Sequence, residues 1–196
     1  MTRLDKVILD LCGGTGAWSK PYADAGYHVI NVTLPEYDVR SYVPPPDINI
    51  YGILAAPPCT MFSLARTRAK KARSFEQGME LVIACLEIIW GCRYQYPLKF
   101  WALENPMGYL RQFIGKPVFT FNPCDFGDRY TKKTDLWGYF NFPALNPIKL
   151  TQYELGLCAQ NNRKLPSISD ITGNKQSARR AITPPGFARA FYESNR

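Results

Sequence analysis

Short apolar runs alternate with helical patterns along the first half of the chain. Four continuous apolar runs are typical of strands that are buried on both faces of a parallel sheet. They span residues 6–12, 27–32, 48–56 and 99–106. A helical pattern over residues 16–26 ends at Gly26, and a longer one covers residues 75–95. This alternation predicts an α/β fold, with a mostly parallel sheet and helices on both of its faces.

The longer helical pattern has apolar side chains at three- and four-residue steps, which predict one packed face. That face consists of Met79, Val82, Ile83, Leu86, Ile89 and Trp90. Beyond residue 115 the pattern loosens. Residues 117–124 and 134–142 predict strands of a more antiparallel tail, and residues 183–194 predict a terminal helix with proline at its start. The sequence has no internal repeat and no evident linker, so we expect residues 1–196 to form one domain.

Charge and composition narrow the choice of partner. The net charge of +8 favours a polyanionic partner, with nucleic acid first and a membrane surface second. The longest apolar stretch, residues 81–90, is too short for a membrane span and contains Glu87. The N-terminal residues carry charges inside their apolar stretch and do not resemble a secretory signal. We therefore expect a cytoplasmic protein without a membrane partner.

The cysteines do not suggest a metal centre. None of them forms a C-x-x-C pair, and His28 is the only histidine, so no metal site is expected. Their scattered spacing also differs from that of a small disulfide framework, and free thiols in a reducing compartment are expected. The six are Cys12, Cys59, Cys85, Cys92, Cys124 and Cys158.

A glycine-rich loop, residues 10–19, joins the first strand to the first helix. Glycine lets a ligand approach the backbone, and a helix start offers free N–H groups. A dinucleotide site would place a third glycine where Ser19 stands, so the loop favours a cofactor without a pyrophosphate, such as S-adenosylmethionine. Asp10 is then expected near the cationic end of that cofactor. The alternative is a tight strand–helix turn that binds nothing.

Two acidic residues follow the second strand, where such sites often hold a ribose or an adenine. Glu36 and Asp38 lie slightly later than the usual position, and Asp38 is the candidate for the adenine amino group. Either side chain is equally well explained as a solvated loop acid.

The third strand delivers Pro57, Pro58 and Cys59 to the edge of the sheet where open α/β folds bind ligands. The prolines restrict the loop, and a nearby helix start or positive charge would lower the thiol pKa below about 8.5. Glu104 ends the next strand at the same edge. A thiol and a carboxylic acid facing one pocket suit cytosine chemistry, with thiolate addition at carbon 6 and a proton supplied to nitrogen 3. Taken separately, they are a buried cysteine and a structural ion pair.

The order of three segments resembles that of DNA (cytosine-5) methyltransferases: DLCGGTG (10–16), APPCTMFS (56–63) and ENP (104–106). The whole chain resembles the compact methylases of phages and prophages, which implies a bacterial or phage-infected host cell. The resemblance implies a Rossmann-like, S-adenosylmethionine-dependent core. In that core Cys59 is the nucleophile and Glu104 is the acid that contacts the base.

The residues and the resemblance together give two sets of binding candidates. Those for the cofactor are Asp10, Cys12, Gly14, Thr15, Gly16, Asp38, Pro57 and Asn174. Those for the substrate, DNA, are Pro58, Ser63, Arg66, Arg68, Asn105, Arg129, Lys132 and Lys133.

The chain also departs from the family pattern. The family's Q-x-R-x-R segment has no clean match, and Arg129, Lys132 and Lys133 all remain candidates for its role. The large target-recognition region is reduced to about residues 134–173, so we expect short or weak sequence specificity. A partner protein that supplies recognition stays open, as does the oligomeric state.

Basic residues follow the proposed nucleophile and are expected to contact phosphates, the alternative being a solvated face. They are Arg66, Arg68, Lys70, Lys71 and Arg73, with a second set at Lys175, Arg179 and Arg180. Two other functions stay open: cytosine methylation of RNA or of a free nucleotide, and nucleic-acid binding without catalysis on the same fold.

Overall fold

A computed structural model of the chain describes residues 6–64, 66, 72–149, 165–168 and 177–196. Within them, six strands form one sheet in the order β2-β1-β3-β4-β6-β5. The strands are β1 (Val7–Leu11), β2 (His28–Val32), β3 (Ile50–Ala55), β4 (Phe100–Pro106), β5 (Phe119–Phe121) and β6 (Thr134–Tyr139). The described helices are α1 (Lys20–Asp24), α2 (Phe75–Gln95), α3 (Arg111–Ile114), α4 (Ser177–Ala181) and α5 (Pro185–Ser194).

The sheet is mixed, so the α/β class is confirmed while the prediction of a mostly parallel sheet is wrong. Strands β1 to β4 run parallel, whereas β6 is antiparallel to both of its neighbours, β4 and β5. A parallel neighbour requires a long crossover, usually a helix. Between β4 and β6 the chain forms only the four-residue α3, the three-residue β5 and a 3-10 turn at Pro123–Phe126, none of which is a long crossover. The predicted antiparallel tail is therefore confirmed, and it makes up a third of the strands.

Helices cover both faces of the sheet, as predicted. Alternate side chains of each parallel strand point to opposite faces, so Leu9 packs on the side of α2 and Ile8 packs on the side of α1 and α5. The second face is rich in fully buried aromatic rings, including Trp18, Phe187 and Phe191. Complete burial of each such ring stabilises the fold by roughly 1.5–3 kcal/mol.

Helix α2 has the predicted bounds but a different buried face. Its first turn is capped by the Ser74 hydroxyl, which accepts from the Gln77 N–H at 3.3 Å. Ile83 and Trp90 are 47% and 44% exposed, so their place in the predicted packed face is wrong. The buried positions include the small residues of the helix and are Gly78, Val82, Ala84, Cys85, Ile89 and Cys92. Small residues bring the helix closer to the chain beneath it, and an added Cβ at Gly78 would lie 2.9 Å from the Phe62 ring.

Helix α1 is much shorter than predicted, because the preceding residues form turns around two glycines with positive φ, Gly14 and Gly16. The expected recognition segment is described only over residues 134–149 and 165–168. No helix in the described ranges has the length and apolar character needed to cross a lipid bilayer.

Candidate active site

Three candidate segments meet at one edge of the sheet. Strands β1, β3 and β4 are parallel neighbours, and Leu11, Ala55 and Leu103 lie in register across them. The carboxyl ends of parallel strands point the same way, so the chain after each of these residues emerges at the same edge. The glycine loop, the Cys59 loop and Glu104 are thereby brought together, as the sequence predicted.

The glycine loop leaves its backbone accessible. Gly14 and Gly16 have φ values of +55° and +71°, which L side chains rarely adopt. An added Cβ at Gly14 would find no atom within 4 Å, and Thr15 beside it is exposed. The loop therefore borders open space in which a ligand can approach the main chain.

Asp10 supports the glycine loop from inside the protein. Its carboxyl group is fully buried and accepts a 2.5 Å hydrogen bond from the Ser19 hydroxyl. Asn31, its register partner on β2, donates to the Gly14 carbonyl at 3.1 Å. An added Cβ at Gly13 would overlap the Asp10 carboxyl group. Because Asp10 exposes no oxygen, its position supports a bracing role and not the expected contact with the cationic end of a cofactor.

Sequence reasoning missed Asn31 and gave Ser19 no role. The available signal was a polar residue, Asn31, inside the apolar run 27–32. A polar side chain that is shielded from water needs partners, and the half-buried Asn31 amide finds one in the Gly14 carbonyl of the glycine loop.

We expect Asp10→Asn to change how stability depends on pH. Burial raises the pKa of Asp10 from 3.8 to about 6. The folded state therefore holds this proton more tightly than the unfolded chain, and stability falls as pH rises from about 4 to about 6. Asparagine does not titrate, and it keeps an oxygen for the Ser19 hydroxyl.

Urea unfolding of both proteins at pH 4 and pH 7 measures the effect. The stability of Asp10→Asn relative to wild type should rise by roughly 3 kcal/mol between the two pH values. A difference that does not vary with pH would show that Asp10 is not buried in the way described here.

Contact with the Cys85 thiol lowers the pKa of Cys12, and the Asp38 charge is the smallest of the causes that oppose this, which places Asp38 near the glycine loop. Its own partner is the Arg40 guanidinium, which holds the pKa of Asp38 at about 2. A cavity of about 480 Å³ at the outer edge of β2 includes Asp38, Glu36 and Tyr42 in its lining. This carboxylate is accessible, which fits both a cofactor contact and a loop acid.

Cys12, another of the cofactor candidates, has a second sulfur atom beside it. Its Sγ lies 4.0 Å from the Sγ of Cys85 on α2. The backbone of Cys12 also has a positive φ of 56°, because the chain turns sharply into the glycine loop at this residue. The five described cysteines, which exclude Cys158, are all free.

The Cys59 loop is fixed to both neighbouring segments. Cys59–Met61 form a 3-10 turn, and the Cys59 carbonyl accepts from the Ser63 N–H at 2.8 Å. The Asn105 amide, on β4, donates to the Pro57 carbonyl at 2.9 Å. Asn105 is fully buried, so it holds the loop rather than facing a substrate as expected. Pro57 is buried and Pro58 is exposed, so of the two prolines only Pro58 is open to solvent.

Lys132 is the cation that reaches Glu104. Its Nζ lies 3.6 Å from Glu104 Oε1, and both side chains are 11% exposed. The antiparallel direction of β6 explains this, because β6 begins beside Pro106, where β4 ends. Of the three candidates that the sequence left open, the structure places Lys132 in the site, whereas Arg129 and Lys133 are exposed.

Burial and the Glu104 charge act together on the pKa of the Cys59 thiol, and two nearby cations oppose them. Burial raises the pKa of Cys59 and the Glu104 charge raises it further, while Lys132 and Arg180 lower it by smaller amounts. The prediction of a lowered thiol pKa is therefore wrong, because desolvation exceeds the effect of the nearby cations. Glu104, Lys132 and Arg180 are all close enough to Cys59 to affect its pKa, and these four residues form the candidate site.

Alkylation of Cys59 should respond in opposite directions to two neutralising changes. Only the thiolate reacts with iodoacetamide, so the pH midpoint of the reaction follows the pKa of Cys59. Glu104→Gln removes a negative neighbour and should move the midpoint to lower pH, whereas Lys132→Met should move it to higher pH. Mass spectrometry of the peptide that contains Cys59 measures the rate, and Lys133→Met is the exposed control. If both variants moved the midpoint in the same direction, the placement of Glu104 and Lys132 beside Cys59 would be contradicted.

The basic residues after Cys59 are only partly described. Arg66 donates to the Ala72 carbonyl at 3.3 Å. Arg73 donates to the Met61 and Ser63 carbonyls at 2.8 Å each, so its guanidinium is engaged within the protein. Other members of the sequence-based sets lie outside the described residues: Arg68, Lys70, Lys71, Asn174 and Lys175.

No protein-family model matches the sequence, and no curated protein matches it significantly.

Proposed function

We propose that this protein methylates carbon 5 of cytosine in DNA, with S-adenosylmethionine as the methyl donor. The observation that supports this most strongly is the pairing of Cys59 with Glu104. A half-buried thiol and a buried carboxyl group lie at adjacent strand ends, near enough for the carboxyl group to shift the pKa of the thiol. The glycine loop opens at the same edge of the sheet.

The two side chains have complementary tasks on a cytosine ring. The Cys59 thiolate adds to carbon 6 while Glu104 gives a proton to ring nitrogen 3, which makes carbon 5 nucleophilic. S-adenosylmethionine, when bound, supplies an electrophilic methyl group. Afterwards carbon 5 loses its hydrogen as a proton, nitrogen 3 returns its proton to Glu104, and Cys59 leaves carbon 6 as a thiolate. Solvent water accepts the carbon 5 proton.

The residues around the glycine loop fit the proposed cofactor. The open space beside Gly14 leaves room for the ligand, and the partly exposed Asp38 carboxylate could accept from the adenine amino group. Cys12, Thr15 and Gly16 belong to the same loop, and Pro57 lies in the neighbouring Cys59 loop. None of these contacts involves the buried Asp10 carboxyl, which shapes the loop beneath them.

DNA is the substrate that the charge favours. The chain carries a net charge of +8, and Lys132 and Arg180 add positive potential around Cys59. A cytosine must leave the base stack to reach this thiol, at a cost of a few kcal/mol. A cytoplasmic location in a bacterial or phage-infected cell would give access to such DNA.

Transfer of a radiolabelled methyl group separates this proposal from its alternatives. Duplex DNA, RNA and dCMP are compared as acceptors at equal cytosine concentration. DNA is expected to be labelled fastest, and digestion should release 5-methylcytosine. Preferential labelling of RNA or dCMP would replace the substrate class. DNA binding without transfer to any acceptor would favour a nucleic-acid-binding protein on this fold.

A further inference from the structure

Arg73 grips the turn that carries Cys59. It precedes α2, and its two terminal nitrogens donate separately to the Met61 and Ser63 carbonyls, each at 2.8 Å. The centre of its guanidinium lies 5.0 Å from the Tyr109 ring centroid, a distance typical of a cation–π contact. Arg73 is half-buried. Its charge is therefore directed toward the protein at three points.

One bonded carbonyl ends the 3-10 turn at Met61, and the other, that of Ser63, lies two residues beyond it. The final carbonyls of any such turn lack partners within the turn itself. The planar guanidinium offers several N–H groups in a fixed fork and can bond two carbonyls at once. A lysine ammonium is a single point charge and would not reproduce this geometry.

A second attachment holds the same segment. Ser63 forms a β-bridge with Gly108, and the Tyr109 N–H donates to the Phe62 carbonyl at 2.9 Å. An added Cβ at Gly108 would overlap that carbonyl oxygen. Gly108 follows Glu104 by only four residues, so the segment after Cys59 is fastened to the chain that carries the proposed acid.

We propose that Arg73 is a positioning residue that fixes the Cys59 turn relative to Glu104, and that it is not one of the phosphate contacts expected of the basic run. Its role in catalysis rests on the proposed function. Its grip on the turn does not, because the hydrogen bonds to Met61 and Ser63 exist without any substrate. The two parts are therefore tested by different measurements.

Amide hydrogen exchange of the full chain without ligand tests whether Arg73 holds the Cys59 turn in place. Arg73→Gln removes two hydrogen bonds from a charged donor and should therefore speed exchange in residues 59–63 about tenfold or more. Arg93→Gln makes the same charge change on an exposed part of α2 and should leave that exchange unchanged. Gly108→Ala loosens the second attachment, formed by Gly108 and Tyr109, without altering charge, and it should also speed exchange in residues 59–63. Wild-type exchange in Arg73→Gln would overturn the proposal, and Gly108→Ala shows whether loosening of the segment is detectable.

Methyl transfer and DNA affinity test whether the hydrogen bonds from Arg73 to the Cys59 turn contribute to catalysis. Arg73→Gln and Arg73→Lys should both lower kcat at least tenfold, while the salt dependence of DNA binding stays that of wild type. A phosphate contact predicts instead that Arg73→Lys restores activity and that Arg73→Gln reduces the salt slope by about 1. That pattern would overturn the positioning role. If wild type transfers no methyl group, the proposed function fails, and the exchange result still decides whether Arg73 holds the turn.

Discussion

Cys59→Ala is expected to reduce methyl transfer to DNA by roughly 10⁴-fold or more, because removal of a covalent nucleophile leaves only the effects of binding and orientation. The substitution deletes one half-buried sulfur, so folding and S-adenosylmethionine binding should be retained. Transfer is measured by radiolabel incorporation, and cofactor binding by titration calorimetry.

Cys124→Ala is the matched control for this experiment. Cys124 is also a free, half-buried cysteine, but it lies on the 3-10 turn Pro123–Phe126, and none of the four candidate-site residues affects its pKa. Its replacement should leave the transfer rate within about twofold of wild type, in line with a small local change. Activity in Cys59→Ala that approaches wild type would remove Cys59 as the nucleophile.

Glu104→Gln should lower the transfer rate by about 10²–10⁴-fold, the usual contribution of a positioned acid. The side chain keeps its size but cannot supply a proton to ring nitrogen 3. The same change lowers the pKa of the Cys59 thiol, because the Glu104 charge is one of the causes that raise it. A more readily ionised nucleophile combined with a slower reaction would separate the role of the acid from that of the thiol.

Glu87→Gln controls for the loss of one negative charge. Glu87 is exposed on α2, and its replacement should leave both the transfer rate and the Cys59 alkylation midpoint unchanged. If Glu104→Gln transferred methyl groups at a rate within about threefold of wild type, Glu104 would not be the acid. The Lys132 contact would then be explained as an ordinary ion pair.

The convergence of Cys59 and Glu104 could be predicted because it follows from a simple rule. Parallel strands end at one edge, and the apolar runs before Cys59 and Glu104 were long enough to identify those strands. The choice of Lys132 among three cations could not be predicted, because it depends on the antiparallel direction of β6. Strand direction at the edge of a mixed sheet is set by the connections between strands and is not encoded in local periodicity.

Two errors of sequence reasoning have the same physical origin. The thiol pKa was predicted to fall because basic residues follow Cys59 in the chain, yet the thiol is desolvated and lies beside Glu104. Arg73 was assigned to a phosphate because it belongs to a basic run, yet it bonds two carbonyls of its own chain. In both cases neighbours in space, which the sequence does not reveal, determine the chemistry of the group.

Reaction with DNA that contains 5-fluorocytosine tests the central claim most directly. Fluorine at carbon 5 cannot leave as a proton does, so a nucleophile that has added to carbon 6 stays attached once the methyl group has been transferred. Incubation with this DNA and S-adenosylmethionine, followed by protease digestion and mass spectrometry, identifies the attached residue. A covalent complex through the sulfur of Cys59 is predicted. Methylation of ordinary DNA without any trapped complex, or attachment at another residue, would contradict it.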